Sequence, residues 1–283
     1  MRRILATGVS SLVIAWLTGC GDVNISGPAT DWSDWPPPSD TTAEVSVTSE
    51  WRGQIAPGNH IEIKGVNGDI RAVPSAGSDV VVTATRMGRA AAVEAVSIDV
   101  VPHQLGVTIC AVYPDVPGQQ PNACQPGAAG NMSVWDGGRG AVRVAFTVQV
   151  PHGVAVIGKT LTGDIEGTSL RSDAFLSTLF GDVRVSTSRL ATAKTLHGSI
   201  DASIGLPDWG RDLEFTTTTG DVRVTVPALT NAWIEATIQS GRVTSDFPLP
   251  MVTSRRMAGA IGTGGPTLRL ATMAGDITLT RGP

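Results

Sequence analysis

One short phrase recurs seven times in this chain: an apolar residue, one intervening residue, Gly, usually Asp, then Ile or Val. The copies are VNGDI at Gly68, LTGDI at Gly163, LFGDV at Gly181, LHGSI at Gly198, TTGDV at Gly220, QSGRV at Gly241 and MAGDI at Gly275. Between Gly163 and Gly241 the glycines follow one another at 18, 17, 22 and 21 residues, and Gly275 comes 34 later. Self-similarity at about twenty residues is the signature of a stacked β architecture. In LTGDIEG the alternation of an extended chain puts Leu161, Gly163 and Ile165 on one side and Thr162 and Asp164 on the other. The glycine therefore falls on the inward side, where a missing side chain lets the backbone bend or approach a neighbour. The Asp then points outward or accepts backbone hydrogen bonds at the bend.

Two architectures fit this pattern. Each repeat is one coil of a right-handed β-solenoid with parallel neighbours, or Gly-Asp marks tight hairpin turns in an antiparallel meander. The near-constant spacing and the inward glycine favour the solenoid. Outside the repeats, EVSV, HIEIKGV, DVVVTAT and VSIDVV alternate apolar and polar residues. The clearest strand is 142–150, where Val142, Val144, Phe146, Val148 and Val150 share a face. Only the segment 88–96 reads as a short helix. The expected class is all-β, with an irregular part over 44–150, which caps or extends the stack, and regular coils over 151–283.

Charged residues make up 16% of the chain, against roughly 25% in an average soluble domain, and 33 glycines help fill the difference. With a net charge of −4 and no basic stripe, the electrostatic footprint of a nucleic-acid-binding protein is missing. The N-terminus reads as a targeting segment over 1–19. Arg2 and Arg3 precede an apolar run, Ile4 to Leu17, too short to span a membrane. The run ends in Leu17-Thr18-Gly19-Cys20, which resembles the bacterial lipobox. That resemblance implies cleavage before Cys20, a diacylglycerol on its thiol, and a membrane partner through the lipid. By analogy with sorting rules, Gly21 in the next position favours the outer membrane. Residues 20–43, with Pro36 to Pro38, read as a Pro-rich tether.

Export places the chain where disulfides persist. Cys110 and Cys124 flank a Pro/Gly/Asn-rich loop and are expected to pair. A metal site there is disfavoured, because His60, His103, His152 and His197 have no ligand-like spacing to either cysteine. Three further groupings hold residue types that can carry chemistry. Asp69, Asp164, Asp182, Asp221 and Asp276 form a ladder if the coils stack, a geometry that binds calcium in other repeats. Ser199 and Arg242 interrupt it. Asp208, Arg211, Asp212 and Glu214 cluster beside Trp209, the residue types of a sugar-cleaving site. No acid/base pair of defined separation stands out. The loop at 259–267 is Gly-rich but lacks the Lys-Ser/Thr of a phosphate-binding loop.

In order along the chain, IEIKGVNGDIRAV, FTVQVPHGVAV, TLTGDIEGT, TLFGDVRVS, TLHGSIDAS, TTTGDVRVT and TLRLATMAGDITL resemble the bacterial "putative adhesin" family, over roughly residues 44–283. The family is a domain of unknown function. The resemblance implies an exported or membrane-anchored protein with a solenoid-like fold, and it supplies no catalytic or binding residues. The leading expectation is a non-catalytic envelope lipoprotein, without cofactor or metal, that recognises an extended glycan or an envelope protein. A carbohydrate-active enzyme using the 208–214 loop and a purely structural spacer are the alternatives.

Overall fold

The computed structural model describes residues 43–130 and 142–282. The expected signal segment and nearly all of the tether lie outside the described residues. The chain enters through β1 (Glu44–Gln54) and makes one coil from β2 (His60–Lys64) and β3 (Ile70–Pro74). It then leaves the stack through β4 (Asp79–Arg89), helix α1 (Ala90–Glu94), β5 (Ser97–His103), β6 (Gly106–Val112) and β7 (Arg143–Val150). Four coils follow in pairs of strands: β8 (Ala155–Lys159) with β9 (Ile165–Leu170), then β10 (Ala174–Ser177) with β11 (Val183–Thr187). The next two are β12 (Ala191–Lys194) with β13 (Ile200–Ile204) and β14 (Leu213–Thr216) with β15 (Val222–Pro227). The chain closes with β16 (Ala232–Ser240), β17 (Val243–Ser245), β18 (Met251–Thr253), β19 (Arg256–Ile261), β20 (Thr267–Ala274) and β21 (Ile277–Gly282).

Each coil gives one strand to each of two long sheets. The first runs β1-β4-β7-β3-β9-β11-β13-β15-β21-β17 and the second β18-β19-β16-β20-β14-β12-β10-β8-β2-β6-β5. Neighbours within the stack are parallel, as in Val183↔Ile200 and Ile200↔Val222, so the solenoid and not the meander is what forms. Antiparallel pairing is confined to the ends, where β1, β4 and β7 pair in series, β5 pairs with β6, and β19 pairs with β16 and β18.

Alternation explains the core. Inward residues of the first sheet (Ile70, Ile165, Val183, Ile200, Val222, Ile277) lie in register on one another, as do Ile61, Val156 and Ala174 of the second. All nine are buried. Parallel strands this short gain most of their stability from such burial, roughly 1.5–3 kcal/mol for each large aliphatic side chain.

Two features of the stacking order differ from the order along the chain. Gly68 sits directly beneath Gly163, so the coil of β2 and β3 is a regular one, and everything between β3 and β8 is an insertion at that end. At the other end the last coil, β20 and β21, slides between the coil of β14 and β15 and the strands β16 and β17. The spacing of 34 before Gly275 is thus no stretched repeat. It is the length of chain needed to step outward through β17, β18 and β19 and return.

Candidate functional site

The repeat phrase forms one ridge of the solenoid. At Gly181 the backbone φ is +152°, a value that side-chain-bearing residues rarely adopt, and an added Cβ would overlap the Gly163 carbonyl. The missing side chain therefore admits the neighbouring coil's backbone along the stack axis. It does not open space toward the interior, which corrects the inward placement read from alternation. The same overlap recurs at Gly163, Gly198, Gly220, Gly275 and Gly241, each against the glycine beneath it in the stack, and at Gly68 against Val144.

The carbonyl exposed by this approach is taken by a threonine three residues before the next glycine. Thr178 Oγ1 donates to Gly163 O at 3.0 Å, Thr195 to Gly181 O at 2.9 Å, Thr217 to Gly198 O at 2.8 Å and Thr272 to Gly220 O at 2.9 Å. These threonines are buried. Pairing buried carbonyls this way removes a penalty of about 1–3 kcal/mol each. The unit is therefore Thr-x-x-Gly-Asp/Ser-Ile/Val. The threonine was missed in the sequence reading although KTLTGDI, STLFGDV, KTLHGSI, TTTTGDV and ATMAGDI all display it.

The aspartates take the second alternative of the sequence reading, but across coils. Asp69 Oδ1 accepts the Asp164 N–H at 3.0 Å, Asp164 that of Asp182 at 2.8 Å, and Asp182 that of Ser199 at 2.8 Å. Ser199 Oγ accepts from Asp221 N at 3.2 Å, Asp221 from Asp276 N at 2.9 Å, and Asp276 from Arg242 N at 2.8 Å. Ser199 continues the ladder, which corrects its reading as an interruption. Arg242 immediately precedes the outermost strand, β17, and among the described residues no further coil offers an N–H that needs an acceptor. The second oxygens of Asp69, Asp182 and Asp221 face Arg143, Arg184 and Arg223. Each ladder carboxylate thus holds a backbone N–H of the next coil, and those of Asp69, Asp182 and Asp221 also face a guanidinium. Among the described residues no group of three or more His, Cys, Asp or Glu is arranged to hold a metal.

Beside the glycines the same ridge exposes Leu179, Phe180, Leu196 and Met273, with the Phe180 ring stacked on His197 at 5.2 Å. This is an apolar stripe on an otherwise polar surface.

At the inserted end, Cys110 and Cys124 are joined, with Cα atoms 5.6 Å apart. The disulfide ties the segment 113–130 across the outer face of β2 and β8. Beneath it lies a charged cluster. Glu62 is fully buried; Lys159 Nζ approaches its Oε1 at 2.7 Å, while Thr108 Oγ1 and Gly127 N donate to Oε2 at 2.9 and 2.8 Å. Burial pushes this carboxyl upward, but the Lys159 ammonium and the two other donors outweigh it and hold it below its ordinary value. Lys64 donates to the Gln125 and Ala129 carbonyls, and burial lowers its pKa. His60 and His103 lie 5.2 Å apart, and burial followed by the His103 charge lowers the pKa of His60. Alternation in HIEIK marks Glu62 and Lys64 as solvent-facing; the covering strap is a long-range event that no local pattern reports.

The 208–214 loop does not assemble a carboxylate site. Asp208 accepts from Asn231, Asp212 caps the Thr267 N–H, Glu214 pairs with Lys194, and Arg211 pairs with Asp173. Trp209 is buried, its Nε1 donating to Leu206 O, so it offers no ring to a sugar. Its exposed counterpart is Trp233, 44% accessible on β16. The Gly-rich 259–267 loop folds onto Asn231, whose Oδ1 accepts from the N–H and hydroxyl of Thr263.

The broad polar surface is the outer face of the first sheet. Its register places Arg71, Glu166, Arg184, Asp201 and Arg223 side by side on successive strands, followed by Thr278 and Thr244. Charges alternate in sign along the row at the strand spacing of about 4.8 Å. A second row of hydroxyls lies two residues on: Ser186 beside Ser203, then Thr225 and Thr280, whose hydroxyls are 2.6 Å apart. The depression between Asp69, Arg71, Glu166 and Arg184 is shallow and about 290 Å³. Among the described residues no helix is long and apolar enough to cross a membrane.

Residues 158–280 match the model of the family described as Toastrack DUF4097, which covers the regular coils and bears out the resemblance to an adhesin-like domain of unknown function. Among solved structures, similarity is found to a putative cell adhesion protein from Clostridium sporogenes ATCC 15579. Identity is 10% over 83% of this chain and 100% of that one, with a TM-score of 0.46. A putative adhesin from Bacteroides fragilis NCTC 9343 is 12% identical over 85% and 98% of the two chains, at a TM-score of 0.35. A putative lipid binding protein from Parabacteroides distasonis ATCC 8503 is 11% identical over 84% and 97%, at 0.26. No curated protein matches.

Proposed function

We propose that this chain is an exported envelope lipoprotein, anchored through Cys20, whose adhesin-like domain binds or scaffolds an extended envelope ligand without catalysis. The observation that carries the reading is the alternating row from Arg71 to Arg223 with its flanking hydroxyl row. A flat row of forked guanidinium donors and carboxylate acceptors, repeated at one strand spacing, suits a polymer with hydroxyl and carboxylate groups at regular intervals. A compact substrate would call for an enclosed pocket with convergent polar groups. A polysaccharide is the favoured ligand and an envelope protein the second. The apolar stripe of Leu179, Phe180, Leu196 and Met273 favours the protein.

The test is retention of the full chain on immobilised polysaccharide from its own envelope, beside the double variant Arg184→Glu/Arg223→Glu. Retention of the native chain and its loss in the variant are expected. Equal retention of both removes the row from the binding surface. Anchoring is tested separately. Cys20→Ser should move the chain from the membrane pellet to the soluble fraction, and an unchanged pellet would overturn the lipid assignment.

A further inference from the structure

A solenoid of two sheets has four edge strands, and here three of them are blunted. β17 and β18 are three residues long, and β5 carries Pro102. Such devices stop edges from pairing with other chains. The fourth edge, β1, has none of them. It is eleven residues long, contains no proline, and runs in unbroken register with β4 from Glu44↔Arg89 to Gln54↔Asp79. No strand pairs with its far side among the described residues. Its inner face is only partly covered: Val45 and Trp51 touch the core, whereas Val47 is 39% exposed.

We infer that β1 is the edge through which two copies of this chain pair, antiparallel and about a two-fold axis at Thr48, so that two ten-stranded sheets become one. The partner follows from the sequence of the strand. A two-fold perpendicular to a sheet keeps side chains on their own face, so a residue must lie on the axis. An axis at Val47 sets Glu44 against Glu50. At Glu50 it sets that carboxylate against its own copy, and at Ser49 it leaves Glu44 opposite Gln54 and Arg52 opposite Ser46. At Trp51 it sets Glu50 against Arg52 but overlaps only residues 48–54, whereas Thr48 brings the opposite charges Glu44 and Arg52 together, twice by symmetry, over the longer overlap 44–52 with no like charges facing. The same register lays Val45 against Trp51 on the inner face, again twice, an apolar cross-strand pairing of the kind that stabilises sheets. Arg52 also lies near Glu50 and Asp79 within its own chain, at 3.6 and 3.8 Å, so Glu44 of the second copy shares the guanidinium with them.

The experiment is disulfide trapping in cells expressing the full chain, read on non-reducing gels against the parent chain. Thr48→Cys, on the axis, is expected to give a covalent dimer, and Ser46→Cys, four residues from its own copy, is not. Co-expressing Ser46→Cys with Glu50→Cys should restore the dimer. In the Thr48→Cys background, Glu44→Arg turns both attractive pairs repulsive and should lower the dimer fraction roughly ten-fold, and adding Arg52→Glu should recover it. All these positions are exposed or at the rim, so folding is not at issue. Equal trapping by Ser46→Cys and Thr48→Cys, or a Thr48→Cys chain that stays monomeric, overturns the inference.

Discussion

The middle of the stack and its inserted end use the same strands but are held by different forces. From β8 to β15 each coil repeats the one before it, and chain order equals spatial order. Every contact that fixes the ridge there is made to the next coil: glycine against glycine, threonine to carbonyl, carboxylate to N–H. At the inserted end the partners are remote in sequence. Glu62 meets Lys159 and Gly127, Tyr113 donates to Val142 O, and a disulfide secures the strap. A repeat templates itself, whereas an end has no neighbour to copy and is closed by a covalent bond, a buried ion cluster and antiparallel strands.

The largest expected effect tests the templating itself. Gly181→Ala forces a Cβ into the coil beneath at a left-handed φ and should cost about 4 kcal/mol, read as the shift of a denaturation midpoint. Gly77→Ala, where the added carbon meets open space, should change stability by less than about 0.5 kcal/mol. Similar costs for the two would break the comparison. Next in size, Cys110→Ser with Cys124→Ser removes the 14-residue closure and should cost about 3 kcal/mol. The loss is expected in the strap first, as faster proteolysis within 113–130 than within β10 to β13. Uniform cleavage would show that the end and the middle unfold together.

Thr195→Val keeps the shape of the side chain but leaves the Gly181 carbonyl unpaired. About 1–2 kcal/mol should be lost, detectable in urea unfolding at unchanged slope. The strap also carries a pH dependence. Glu62 titrates below 4.5 when folded, so its contribution is complete above that value and disappears as pH falls through the lowered folded value. The protection factor of the Gly127 N–H, taken against its intrinsic exchange rate at each pH, should fall on acidification in the native chain but not in Glu62→Gln. Smallest of all, Arg242→Asp should change stability by less than about 0.5 kcal/mol, because among the described residues no coil follows β17. Asp182→Ala, inside the stack, should cost about 1 kcal/mol.

How much of this was legible depends on the range of the interaction. The glycines, the alternating core residues and the pairing of Cys110 with Cys124 could be read locally, because each coil imposes the same geometric demand at nearly the same spacing. The threonine of the repeat was equally visible and went unread, since a buried hydroxyl in a Thr-rich chain looks like ordinary strand composition. Glu62 was hidden for a different reason. Its alternation says surface, and only the strap makes it interior.

The sequence alone determined the coil: a backbone position that tolerates no side chain, a polar acceptor after it, and an apolar residue to bury, repeated until a stack is the only way to satisfy all three. The tertiary structure alone decided the order of the coils, the placement of the last repeat inside the one before it, and the burial of charge at the inserted end. Identical ladders fit any neighbour equally well, so the choice among neighbours falls to loop lengths and end contacts, which carry no periodic signal.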